Sequence, residues 1–162
     1  MKLLLPFLRV PAATLTFALL FNPGSALAQS STITDFVNAC PAFPTQFADT
    51  LRWEAKQFPG TLFCRALLAD GTEAFALTVS AQSPFKPKRG LKAETSTLAN
   101  GRELVWYRSE LVTQSNMQAR ETLVQIASDR VAHLSLQAAD PETLARYESY
   151  AAALPFPDYA AD

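Results

Sequence analysis

The chain has 162 residues, a formal charge of −1, 49% hydrophobic residues and two cysteines. This mildly acidic balance gives no support to general nucleic-acid binding, which draws on a strong positive field, and no nucleic-acid partner is expected. No internal repeat or low-complexity tract is visible, and the length suits one sizeable core.

The first 28 residues read as a secretory signal peptide. Lys2 and Arg9 flank the start, Val10–Phe21 is mostly apolar, and Asn22-Pro23-Gly24 breaks any helix. Ala26-Leu27-Ala28 then supplies the small residues at which cleavage before Gln29 is expected. The apolar run is shorter than the roughly 20 residues of a membrane span. No cysteine follows the small residues, so a lipid-anchored export pattern is missing. The expectation is a soluble periplasmic protein with no stable membrane span in its mature part, residues 29–162. Loss of Lys2 and Arg9 leaves twelve Lys and Arg against fifteen Asp and Glu, a formal charge of −3.

Cys40 and Cys64 both fall in the mature part. An even cysteine count in an exported chain predicts a disulfide. Upstream of Cys40, Phe36 and Val37 suggest a short first helix. A second helix is predicted over Thr45–Phe58, because Phe47, Leu51, Ala55 and Phe58 recur near every fourth position. Phe58-Pro59-Gly60 would stop it.

Two strands are predicted around Asp70-Gly71, a dipeptide suited to a tight hairpin. That turn sets Ala66 opposite Phe75, Cys64 opposite Leu77 and Leu62 opposite Val79, all on one apolar face. Asn100-Gly101 predicts a second turn, between Glu94–Ala99 and Arg102–Leu111, with Leu104 and Trp106 across from Thr97 and Thr95. A third hairpin joins Glu121–Ala127 to Val131–Ala138. Reading Ser128-Asp129-Arg130 as its loop puts Val124 and Ile126 on the face of Ala132, Leu134 and Leu136. A two-residue loop would instead leave both faces half apolar, so the one-sided pattern is preferred.

The clearest helix start follows. Asp140 is an N-cap, Pro141 fits the first helical position, and Glu142 complements the positive helix end. Leu144, Tyr147, Ala151 and Leu154 form its apolar stripe, and Pro155 and Pro157 lie beyond it. The element order predicts an α+β domain: an antiparallel sheet of five to six strands, with N-terminal helices and a C-terminal helix packed mainly on one face, and one disulfide.

Catalytic and cofactor motifs are absent from the sequence, so no cofactor or metal is expected. The single histidine, His133, sits in a strand opposite Gln125, which would pair with it. Glu103, Glu110 and Glu121 lie at strand ends, where two converging acids would suit a cell-wall hydrolase. The one local shift of composition is Ser83–Lys92. There Lys86, Lys88, Arg89 and Lys92 surround Phe85, and two prolines keep the segment extended. Such a loop suits an anionic envelope component or a protein partner. A second polar loop is predicted over Val112–Arg120.

These features suggest an exported non-enzymatic binding protein that recognises a macromolecule, as inhibitors and immunity-type proteins do. The alternatives are a small-ligand or anionic-lipid binder using residues 83–92, and a two-carboxylate hydrolase.

Overall fold

Tight turns and period-two patterning fold the described part of this chain around one large sheet. The computed structural model describes residues 38–110 and 116–159; the predicted signal peptide and the short helix at Phe36 and Val37 lie outside them. Seven strands form one antiparallel sheet: β1 (Leu51–Phe58), β2 (Thr61–Leu68), β3 (Glu73–Ser80), β4 (Lys92–Thr97), β5 (Glu103–Arg108), β6 (Gln118–Ala127) and β7 (Arg130–Ala138). A helix, α1 (Pro141–Ala152), follows them. The strand order is β1-β2-β3-β7-β6-β5-β4. The first three strands form a meander. The chain then crosses to the far edge and returns strand by strand, until β7 closes against β3.

This architecture corrects the expected layout of N-terminal helices over five or six strands. Thr45–Phe47 makes a single 3₁₀ turn, residues 48–50 are turn, and Leu51–Phe58 of the predicted second helix is strand β1. Two periodicities compete in Leu51–Phe58. Leu51, Trp53 and Ala55 alternate with Arg52, Glu54 and Lys56, and pairing with β2 selects that alternation over the helical stripe. Trp53 then sits opposite Ala66, donates from Nε1 to the Pro41 carbonyl at 2.6 Å, and stacks on Phe43 with centroids 4.4 Å apart. Pro59-Gly60 is the turn of a β1–β2 hairpin rather than a helix stop, with Gly60 at φ 72°, where a side chain would be strained.

The β2–β3 hairpin forms with the expected partners: Leu62 with Val79, Cys64 with Leu77, and Ala66 with Phe75. Gly71 takes the positive φ that its turn needs. In the β4–β5 hairpin Leu104 faces Ser96 rather than Thr97, one residue from the expected register. The β6–β7 turn is also shorter than expected. Ala127 pairs with Arg130, which leaves Ser128-Asp129 as the loop. A bulge between Gln125 and Ala127 then shifts the register, so Val124 lies opposite Ala132 and the apolar face is preserved. The predicted polar loop ends early, since β6 begins at Gln118; residues 111–115 lie outside the described part.

Helix α1 packs across β7, β4 and β3. Asp140 caps it, accepting from the Thr143 N–H at 2.8 Å. Leu144, Tyr147, Ala151 and Leu154 are buried against Phe75, Leu77, Trp106, Ile126 and Leu134. The Cys40–Cys64 disulfide, with Cα atoms 6.0 Å apart, fastens the segment before β1 to the same face. Among the described residues, no helix is long and apolar enough to cross a membrane.

Candidate functional site

The strand order obliges residues 81–91 to carry the chain from β3 to β4, past β7, β6 and β5. Ala132 and Leu134 point to the helix-covered core, so His133 between them points to the opposite, open face. Phe85 lies flat on His133, with centroids 5.3 Å apart and planes 6° from parallel. It also approaches the Tyr107 ring at 5.9 Å. The crossover therefore lies on the open face, and the Phe85 ring anchors it there.

Beneath this ring, three strands bring together groups that are distant in sequence. Glu121 on β6 accepts from His133 Nε2 through one carboxylate oxygen at 2.8 Å. Its other oxygen accepts from the Ser109 hydroxyl, just past β5. The His133 and Glu121 side chains are 15% and 11% exposed, so both groups lie well out of water. Burial lowers the His133 pKa from its ordinary 6.5, against the smaller opposing pull of the Glu121 carboxylate. Neutral His133 thus donates to Glu121 near pH 7. The partner expected for His133, Gln125, instead donates to the Ala127 carbonyl.

Two cavities meet at Glu121 and His133. One, of about 300 Å³, reaches Ser109, Ser135 and Gln137. The other, of about 440 Å³, lies against the crossover and is lined by Pro84, Phe85, Lys86, Lys88 and Leu91, together with Arg108 and Glu110. Of the sequence-identified residues, Phe85, Lys86 and Lys88 converge on it. Arg89 opens a 3₁₀ turn, and Lys92 begins β4 opposite Tyr107; neither lines this cavity. Lys88 pairs with Glu110 at 2.5 Å. Glu110 and Glu121 share the cavity, whereas Glu103 is at the other end of β5, exposed.

Sequence reasoning missed Ser109 and Arg108. Both stand at the β5 end, where only the β5–β6 register (Tyr107 with Glu121, Arg108 with Arg120) reveals their neighbours. A lone strand histidine gave no hint of a carboxylate twelve residues away.

A second buried polar group lies on the core side. Arg120 donates to Glu94 on β4 at 2.8 Å and stands 3.9 Å from Glu148 on α1. One Glu148 oxygen, Oε1, is buried without a hydrogen-bond partner. Burial and the neighbouring Glu94 carboxylate push the Glu148 pKa up to about 7, against the opposing charge of Arg120. Among the described residues, no group of three or more His, Cys, Asp or Glu is placed to hold a metal ion.

No family model, curated protein or solved structure matches the chain.

Proposed function

We propose that this chain is an exported binding protein whose recognition element is the crossover, residues 81–91, with the open sheet face beneath it. The observation that carries this reading is the Phe85–His133 stack: it fixes a cation-bearing connector over two cavities that meet at one carboxylate–histidine pair. Loops held on a rigid sheet are where binding groups are commonly presented. The Cys40–Cys64 disulfide agrees with export to an oxidising compartment, to which residues 1–28 would direct the chain. The periplasm is the compartment that this reading favours.

Native mass spectrometry of the protein drawn gently from its own compartment tests the reading. A second polypeptide or a small additional mass is expected on the native chain and is lost from Phe85→Ala. A bound mass that survives Phe85→Ala unchanged would place recognition elsewhere.

A second reading, hydrolysis by paired carboxylates, draws on Glu110 and Glu121 lining one cavity. Turnover of cell-wall glycan that disappears in both Glu110→Gln and Glu121→Gln would favour it over pure binding.

A further inference from the structure

We propose that the 440 Å³ cavity beside the crossover receives a small anionic amphiphile, with a phosphate or carboxylate head held by Lys86 and Arg108 and a short apolar body against Phe85 and Leu91. The proposal rests on the crossover being the binding element and names the chemistry that it recognises. Four observations lead to it.

The first is charge accounting inside the cavity. Three cations and two carboxylates line it, but both carboxylates are engaged. Glu110 holds Lys88, while Glu121 accepts from His133 and Ser109. Among the described residues, neither Lys86 nor Arg108 has an acidic partner; the Arg108 guanidinium donates to a neutral acceptor, the Gly90 carbonyl, at 3.3 Å. Two cations are thus left to meet an incoming anion, and a guanidinium offers a planar fork suited to phosphate or carboxylate.

The second is the wall. Pro84, Phe85 and Leu91 give the cavity an apolar side next to its cations. A bare inorganic ion would leave that side unused. The third is size: about 440 Å³ falls within the range of small-molecule sites. The fourth is rigidity. Phe85 is fixed on His133, Leu91 closes a 3₁₀ turn through the Lys88 carbonyl at 2.9 Å, and Arg108 clasps Gly90 in that turn. Phe85, Leu91 and Arg108 are held before a ligand arrives, which lowers the ordering cost of binding.

The probe is hexyl phosphate, titrated at low salt by calorimetry and followed by amide and ring chemical shifts. It should bind saturably and shift Phe85, Leu91 and Arg108. Hexanol and inorganic phosphate should each bind about tenfold or more weakly, since each supplies half of the contact. Lys86→Ser combined with Arg108→Ser should weaken hexyl phosphate about tenfold or more at an unchanged melting temperature. Raised salt should weaken the native protein in the same direction. Vesicles of phosphatidylglycerol and of phosphatidylcholine separate the sources of the anion. Sedimentation with the anionic vesicles alone, lost in the double variant, assigns a lipid headgroup; hexyl phosphate binding without vesicle association assigns a free amphiphile. Affinity in the double variant within twofold of native overturns the proposal. So does hexanol binding as tightly as hexyl phosphate; if hexanol then shifts Phe85 and His133, the crossover remains the binding element and only the anion is wrong. Absence of any shift with all three probes also overturns it, leaving the crossover reading to be decided by the Phe85→Ala comparison.

Discussion

The Phe85 and His133 rings lie nearly parallel, 5.3 Å apart, although 48 residues of sequence separate them. This contact ties the longest described connection of the sheet to its central strands. Removing the ring in Phe85→Ala should loosen residues 81–91 selectively. Amide hydrogen exchange there should speed up while β7 and β3 stay protected, with a global loss of about 1–2 kcal/mol in urea melts. Uniformly faster exchange across the sheet would contradict a local anchoring role.

The His133–Glu121 pair gives stability a defined acid limb. Because burial holds His133 below 6.5 in the folded chain, the unfolded chain takes up a proton first as pH falls. Stability is therefore present above that value and is lost as pH drops toward the folded pKa. His133→Asn should flatten this limb between pH 7 and 5, as read from melting temperatures. A limb of unchanged slope in that variant would assign the effect to other groups.

Glu148 acts in the opposite direction. Its pKa is raised from 4.5 to about 7, so the folded chain keeps a proton that the unfolded chain has released. This contribution is full below pH 4.5 and is lost as pH rises through about 7. Glu148→Gln keeps the shape and a donor toward Glu94 without the buried charge. It should raise the melting temperature at pH 8 and leave it little changed at pH 4.5. A variant that is destabilised at both pH values would refute this account.

Cys40→Ser with Cys64→Ser releases a link across a sequence separation of 24 residues. The double variant should lose about 3 kcal/mol by equilibrium denaturation, the amount that chain entropy assigns to a loop of this size. The packing of Phe43 on Trp53 should weaken with it, detectable as a shift in tryptophan fluorescence.

The β2–β3 hairpin and the helix cap were legible in the sequence because each depends on near neighbours. Asp70-Gly71 fixed three cross-strand pairs, and Asp140-Pro141 marked the start of α1. Strand β1 was misread because Phe47, Leu51, Ala55 and Phe58 fit a helix while Leu51, Trp53 and Ala55 fit a strand. Only the presence of β2 alongside decides between them. The β6–β7 register was hidden by a bulge at Ile126, which no turn residue announces. In the candidate site, the basic segment stood out by composition. Its contact with His133 and the Ser109–Glu121 link depend on strand order, and local patterning carries no record of that.

The placement of β7 between β3 and β6 has a consequence for how the chain is assembled. Strands β1–β3 and β4–β6 are each local meanders, and they share no ladder until the last strand arrives. As the polypeptide emerges from its N-terminus, the inner edge of β3 stays an open template for pairing for some fifty residues. The β3–β7 contacts join residues more than fifty positions apart, so they cost more loop-closure entropy than the hairpins do. A chain that ended before Arg130 would lack the one strand that joins the two meanders, leaving the facing edges of β3 and β6 unpaired.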